Sequence, residues 1–303
     1  MTTPSFPSAA VLQDVVARAL AEDLGHGDIT TDVLFSEPIA ATGTVVAEER
    51  DGLVVAGIAV AREVFAQVDP SLRLTARLGD DQRAEAGSVI LAVRGDGRSL
   101  LKGERVALNF LQRLSGIATL TSRFCEAVRG FPVRIVDTRK TTPGLRELEK
   151  WAVALGGGSN HRFGLADGLL IKDNHLALAA GWPALAGRAL TQACRKARER
   201  APHGLKLEVE TQTLDDVRAA LDGGADIILL DNMDVPAIRK AVDLIKGRAL
   251  IEVSGGVTLA NVRDLAAAGP DLISIGALTH SAPAVNLSLD IVPDRPRRSR
   301  VRS

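Results

Sequence analysis

Leu205-Lys206-Leu207-Glu208-Val209-Glu210, an amphipathic stretch over 213–222, and then Asp226-Ile227-Ile228-Leu229-Leu230-Asp231 decide the fold of this chain. An apolar run ending in carboxylates, a helix-period segment and a second apolar run ending in a carboxylate spell strand, crossover helix and parallel strand. The same grammar extends outward. Runs at 133–137, 168–171, 249–253 and 272–275 read as further strands, and 235–246 and 258–268 as further helices. Strands that each end in polar or charged residues favour an α/β barrel, whose chemistry sits at the C-terminal strand ends. A doubly wound open sheet would also place ligands near its strand ends.

Upstream the pattern differs. Residues 11–24 carry apolar positions on one helical face, and Gly25 and Gly27 end that helix. Segments 43–49, 52–56, 72–77 and 88–94 show the alternation of short strands, so an α+β domain on an antiparallel sheet is expected. Residues 100–128 read either as one long, largely buried helix or as a helix pair that breaks at Gly116. The expected division is 1–115, then 116–282, with the chain from about 283 returning to the first domain. Residues 293–303 form an expected disordered tail, with five arginines in 295–303.

At 303 residues and 46% hydrophobic content, the chain has room for two domains and a sizeable core. Lys plus Arg equal Asp plus Glu at 37 each, so no global field points to nucleic acid or membrane as partner. Aromatics make up 3% and Tyr is absent, which argues against base-stacking platforms. No apolar run reaches about 18 residues without a charge or Gly, so no membrane span is expected. Residues 1–10 lack a basic region followed by an apolar core, so no secretory signal is expected and the cytoplasm is the expected location. Cys125 and Cys194 lie far apart without metal-ligand spacing and are expected as buried thiols in a reducing compartment.

Fixed charges collect where apolar runs give way to turns. Asp137-Thr138-Arg139-Lys140-Thr141-Thr142-Pro143-Gly144 follows one strand, Asn160-His161-Arg162-Phe163-Gly164 comes next, and Ile171-Lys172-Asp173-Asn174-His175 ends another. On so neutral a chain, Arg139, Lys140, His161, Arg162 and Lys172 together point to a pocket for a small, highly anionic substrate. Glu208 and Glu210 share a strand face by period two, and Asp231 adds a carboxylate from the neighbouring strand. Such a set suits Mg²⁺, which takes one or two protein carboxylates and completes its octahedron with water and phosphate oxygens, or it suits ribose hydroxyls. Glu208 reads equally as a structural partner of Lys206 or Lys172.

Ser254-Gly255-Gly256 follows the next strand, and Gly276-Ala277-Leu278-Thr279-His280 follows the last. Small residues let main-chain N–H groups approach an anion, and a helix starting near Thr258 would add its N-terminal partial charge. Turns after the last barrel strands are where phosphate sites often lie. A monophosphate cradle, carboxylates for ribose or metal, and a cationic region describe a phosphoribosyl donor. His26 reads as a local turn residue, His203 as exposed and His175 as orienting its strand end; no His/Cys cluster has zinc spacing.

Four segments carry a family resemblance: Glu22-Asp23-Leu24-Gly25-His26-Gly27-Asp28-Ile29-Thr30-Thr31, Gly103-Glu104-Arg105-Val106-Ala107-Leu108-Asn109, and the runs 137–146 and 156–175. They resemble quinolinate phosphoribosyltransferase, also called nicotinate-nucleotide pyrophosphorylase (carboxylating), and the likeness spans about residues 11–290. The resemblance implies an N-terminal α/β sandwich followed by an incomplete, seven-stranded α/β barrel. It implies that quinolinate and 5-phosphoribosyl-1-pyrophosphate react, with Mg²⁺, to nicotinate mononucleotide, pyrophosphate and CO₂ in de novo NAD biosynthesis. By the same resemblance Arg139, His161, Arg162 and Lys172 line the quinolinate site, with Thr138 and Lys140 near the substrates. Glu210 and Asp231 serve ribose and metal, directly or through water, and Ser254, Gly255, Gly256, Gly276 and His280 surround the 5-phosphate. Arg105 reaches a neighbouring subunit's site, so a homodimer with shared sites, open to higher assembly, is the expected working unit. Lys140, Glu210 and Asp231 are the expected catalytic residues.

Physical chemistry agrees with that assignment. Quinolinate is a dianion, and guanidinium forks on its carboxylates give charge-assisted, orienting hydrogen bonds. Loss of pyrophosphate leaves an oxocarbenium-like ribose that carboxylates stabilise. Attack by the pyridine nitrogen makes it cationic, and the adjacent carboxylate can then leave as CO₂. No covalent enzyme intermediate is needed, so no Schiff base is expected at Lys140 or Lys172. A nicotinate-specific relative would need fewer cations, and a non-catalytic phosphosugar sensor would not need Glu210 and Asp231.

Overall fold

A computed structural model describes residues 7–180 and 187–294. Of these, 7–120, 143–156 and 282–294 form one compact unit, and 121–142, 157–180 and 187–281 form a second. Segment 143–156, inside the second domain as read from sequence, clusters with the first unit. The Arg-rich stretch 295–303 lies outside the described residues.

The first unit is built on an antiparallel sheet of order β12-β1-β5-β3, where β1 is Ala40–Ala47, β3 Arg73–Ala76, β5 Val89–Asp96 and β12 Leu287–Pro293. A separate ribbon pairs β2 (Leu53–Val54) with β4 (Arg83–Ala84). Burial alternates along β1, with Ala41, Val45 and Ala47 turned inward. β12 adds to the free side of β1, so the end of the chain completes the sheet. Only Leu287 of its seven residues is buried, as suits an edge strand, which is why its sequence carries little periodicity.

Helix Ala9–Leu24 begins at Ser8, whose Oγ accepts from the Val11 amide at 3.3 Å, and it buries Leu12, Val15, Val16 and Leu20 at helical spacing. A short helix, Ile29–Leu34, follows the glycine-rich turn and is capped by Asp28. Helix Gly97–Ala127 is one continuous element of 31 residues, the single helix of the two readings, and Gly116 does not break it. A Cβ there would stand 2.1 Å from the Pro283 carbonyl oxygen; the glycine permits close approach of the returning chain.

On the same helix Arg113 donates from Nη2 to Glu149 at 2.7 Å and from Nη1 to the Ala282 carbonyl at 3.0 Å. Glu149 is fully buried, so removing one partner strands the other in a dry setting. Glu149→Ala is predicted to cost about 3 kcal/mol, read from urea unfolding. A loss under about 1 kcal/mol would show the pair to be solvated.

The second unit holds six parallel strands: β6 (Arg134–Val136), β7 (Leu169–Ile171), β8 (Leu207–Thr211), β9 (Ile227–Asp231), β10 (Leu250–Ser254) and β11 (Leu272–Ser274). Their order is β6-β11-β10-β9-β8-β7. From β7 to β11 the order follows the chain without reversal, and the first strand lies beside the last. That cyclic order belongs to a barrel, whereas a doubly wound sheet reverses at a switch point. The ring is open between β6 and β7. There Ser159 makes an isolated parallel bridge to Val136, in the place of the seventh strand.

Strand register sets the site. Glu210 pairs with Leu229, Leu229 with Glu252, Glu252 with Leu272 and Leu272 with Arg134. With period two, Glu208, Glu210, Asp231, Glu252, Ser254 and Ser274 therefore share one face. Crossover helices start on clear signals. Helix Leu214–Asp222 has a capping box between Thr213 and Asp216, and helix Val235–Ile245 is capped by Asp234 with proline in its first turn. Among the described residues no helix is long and apolar enough to cross a membrane.

Candidate active site

β6 ends at a buried carboxylate that organises two cationic motifs. Asp137 is wholly buried; its Oδ1 accepts from the His161 amide at 2.8 Å and its Oδ2 from Asn160 Nδ2 at 2.7 Å. A buried carboxylate needs such donors, so the Asn160–Arg162 stretch is drawn against the start of the Thr138–Lys140 turn. Arg162 Nη1 donates to the Gly168 carbonyl at 2.9 Å, while its Nε is buried without a partner. Burial, and then the charge of Arg139, hold the Arg162 guanidinium below its ordinary range. Two cations kept together in a dry place make a receptor for an anion.

Thr138 Oγ1 accepts from the Lys140 amide at 3.1 Å, and the Lys140 carbonyl accepts from Thr279 Oγ1 at 2.8 Å. Lys140 thus lies beside the turn after β11. A Cβ on Gly276 would stand 3.0 Å from Lys140 Cδ and 3.1 Å from the His280 ring. The His280 Nδ1 is 2.6 Å from Ser281 Oγ.

Glu210 is paired with Lys172, whose own amide donates to His175 Nδ1 at 3.0 Å, the orienting role expected of that histidine. Asp231 Oδ2 accepts from Asn232 Nδ2 at 2.9 Å, and the Asn232 amide donates to the Ser254 carbonyl at 2.9 Å. The turns after β9 and β10 are thereby tied together, with Asn232, Gly255 and Gly256 at φ of 54°, 95° and 59°. The expected helix from Thr258 is corrected. Asn261 Oδ1 accepts the Thr258 amide at 2.8 Å and its Nδ2 donates to the Gly256 carbonyl at 3.0 Å, so the chain turns there and helix Val262–Ala266 begins later. Any anion at this turn is held by loop amides, not by a helix end.

Glu208 meets neither Lys206 nor Lys172, against both halves of the structural reading. His161 Nε2 lies 3.1 Å from Glu208 and 3.6 Å from Glu252, an acid the sequence pattern did not single out. His161, Glu208 and Glu252 could be taken for a metal site, since their ligand atoms lie within 4.8 Å of one another. The ring tautomer argues otherwise. The Arg162 amide donates to His161 Nδ1 at 2.8 Å, which leaves the ring hydrogen on Nε2, facing the carboxylates. A nitrogen that carries hydrogen has no lone pair for a metal.

Burial, and then the charge of Glu208, push Glu252 from 4.5 up to about 7. The folded state then binds more protons at this group than the unfolded one, so its contribution to stability is fully present below about pH 4.5 and is lost as pH rises to about 7, by up to about 3 kcal/mol. The difference in urea-unfolding free energy between wild type and Glu252→Gln should therefore shift against the wild type across that window.

Cys194 is buried and Cys125 only half-buried, and both are free. Burial raises both thiols to about 11, which leaves them inert near neutrality. Arg105 is exposed on helix Gly97–Ala127, in the first unit. All the other candidate residues belong to the second. Sequence reasoning missed Glu252 and Asn232 as site residues and did not assign Asp137 its anchoring role. The signal for Glu252 was the charge inside an otherwise apolar strand.

An α/β ring with paired guanidinia, strand-end carboxylates and glycine turns after its last strands defines a barrel transferase for small anionic substrates. The chain belongs to the quinolinate phosphoribosyl transferase family: residues 28–115 match its N-terminal domain and residues 117–290 its C-terminal domain. It is 40% identical over 280 residues to "Probable nicotinate-nucleotide pyrophosphorylase (carboxylating)" of Bacillus subtilis, covering 92% of this chain and 93% of that protein. It is 41% identical over 296 residues to "Quinolinate phosphoribosyltransferase (decarboxylating) 2b, mitochondrial" of Nicotiana tabacum, covering 92% of this chain and 82% of that one. The crystal structure of NadC from Streptococcus pyogenes superposes with a TM-score of 0.88 at 37% identity, covering 96% of this chain and all of that chain, 100%.

Proposed function

We propose that this enzyme transfers the phosphoribosyl group of 5-phosphoribosyl-1-pyrophosphate to quinolinate and releases pyrophosphate and CO₂, giving nicotinate mononucleotide for NAD biosynthesis. The observation that carries the reading is the juxtaposition of Arg162, half-buried with a buried Nε that has no partner, and Arg139. That arrangement demands anionic charge, and a pyridine dicarboxylate supplies two carboxylates in one plane. His161 and Thr138 complete the acceptor pocket, and Lys172, already drawn to Glu210, sits between acceptor and ribose.

The donor's 5-phosphate is assigned to the Ser254-Gly255-Gly256 turn and to Gly276 and His280. Lys140, beside Gly276, is placed to carry pyrophosphate charge. Glu210 and Asp231 face the same side at neighbouring strand ends, so their negative charge can stabilise an oxocarbenium-like ribose. They are also the hard oxygen donors that fit Mg²⁺ with water and phosphate oxygens around it. Mg²⁺, when bound, would offset leaving-group charge. Attack by the ring nitrogen forms the N–C bond as the C–O bond to pyrophosphate breaks. The C2 carboxylate then leaves as CO₂, its electron pair remaining on C2 beside the cationic nitrogen until a proton arrives.

The deciding assay supplies the donor, Mg²⁺ and either quinolinate or nicotinate, and follows CO₂ and mononucleotide. Turnover of quinolinate alone supports the reading. Turnover of nicotinate would keep the phosphoribosyl half and overturn the dianion half. Turnover of neither would leave a phosphosugar-binding module.

We further propose a cytoplasmic homodimer in which the partner's Arg105 completes each site. Arg105→Ala and Lys172→Ala subunits, each nearly inactive alone, should on mixing recover about a quarter of wild-type activity, because only hybrid dimers contain one intact site. No recovery in verified hybrids would rule out a shared site.

A further inference from the structure

The mechanism above gives no work to Glu252. Its side chain is 1% exposed on β10, with both oxygens buried and without a hydrogen-bond partner. His161 Nε2 stands 3.6 Å away, and that N–H is closer to Glu208, at 3.1 Å. Two carboxylates thus face the one His161 N–H, and Glu208 holds it. The other groups acting on Glu252 are Lys172 after β7 and the Ser274 hydroxyl of β11, while β9 offers the apolar Leu229 as its register partner. An ionised Glu252 would lack compensation in this place.

The open barrel seam supplies a route to solvent. A cavity of about 300 Å³ reaches Glu252, Glu208 and His161 from the strand starts, lined there by Arg134, Lys206 and Leu272. Its mouth is at the strand starts, opposite the ends that carry Glu210, Asp231 and Ser254, and its lining also includes His161 and Arg162, so it runs behind the acceptor site. Water entering from the strand starts can therefore reach Glu252.

We propose that Glu252 works as an uncharged carboxylic acid, a positioning residue that keeps a second negative charge from building up behind Arg162 and exchanges its proton through the seam cavity. This rests on the quinolinate reading. Were Glu252 ionised, the Glu208–Glu252 pair would repel a bound dianion and draw His161 toward the charged state, breaking its contact with the Arg162 amide. Acceptor binding should therefore weaken with rising pH, while the chemical step is spared.

The test is the pH dependence of wild type and Glu252→Gln, an uncharged isostere, between about pH 5 and 9. In the wild type KM for quinolinate should climb by up to about tenfold per unit above the Glu252 transition, with kcat level. Glu252→Gln should lack that climb. In the substrate-free protein, infrared spectra should show a carboxylic-acid C=O band that disappears over the same range and is missing in Glu252→Gln. Should that variant fail to fold, Glu208→Gln serves instead and should move the band's midpoint to lower pH, since the neighbouring charge that keeps the proton on Glu252 is gone and the His161 N–H is freed toward Glu252; a midpoint that stays in place or moves to higher pH overturns the proposal. A KM climb that persists in Glu252→Gln also overturns it. A titrating band assigned to Glu252 without any quinolinate turnover would sink the substrate assignment while supporting the retained proton.

Discussion

Arg162→Ala should lower kcat/KM for quinolinate by about a thousandfold, or about 4 kcal/mol. The guanidinium spends Nη1 on the Gly168 carbonyl and keeps a buried Nε without a partner, in a setting dry enough to depress its proton affinity. A carboxylate received there gains two charge-assisted hydrogen bonds at about 1.5–3 kcal/mol each. Alanine removes both and leaves one substrate carboxylate in a place shielded from water. Lysine should not rescue, because a point charge cannot reproduce the planar fork. The check is steady-state kinetics with each substrate varied in turn. KM for the phosphoribosyl donor should barely move, and a loss below about tenfold in kcat/KM for quinolinate would remove Arg162 from the acceptor site.

Gly255→Ala should act on the other substrate. A Cβ there would stand 2.1 Å from Asn232 Oδ1, and the residue sits at φ 95°, where side chains are strained. Clash and strain together should cost about 4 kcal/mol of stability. The local consequence is sharper, because Asn232 holds Asp231 and its amide is tied to the Ser254 carbonyl. Pushing Asn232 aside displaces the strand-end carboxylate and the phosphate turn together. KM for the donor should rise at least tenfold, at roughly 1.4 kcal/mol per decade. Gly256→Ala is the control. Its φ of 59° is also left-handed, but no atom lies within 4 Å of the Cβ position, so only strain of about 1 kcal/mol is expected. Equal effects at the two glycines would show that backbone strain, not the Asn232 contact, governs this turn.

What could be read in advance followed periodicity. The run Leu207-Glu208-Val209-Glu210 marks its strand, its inward face and its chemistry together, because alternation and charge coincide there. β12 escaped, since an edge strand with one buried residue carries almost no pattern. Residues 100–128 left a single helix and a helix pair open, because a glycine's meaning depends on what lies across from it, here for Gly116 the Pro283 carbonyl. The Thr258 helix start was misread for a related reason. Asn261 offers its side chain to the backbone, an alternative to the helix that local propensity does not rank.

The chemical inventory was set by sequence alone: cations after the early strands, carboxylates on the middle ones and glycine turns after the late ones. That follows from each strand ending in its own polar residues, a local property. Pairings were decided only by the tertiary structure. Lys172 is matched with Glu210, Asp137 joins the Asn160 stretch to β6, and Glu252 lies beside Glu208 and His161 without a hydrogen bond to either. These contacts join residues from different strands and loops. Which charges meet, and which is left without a partner, depends on the register and closure of the ring rather than on any one segment.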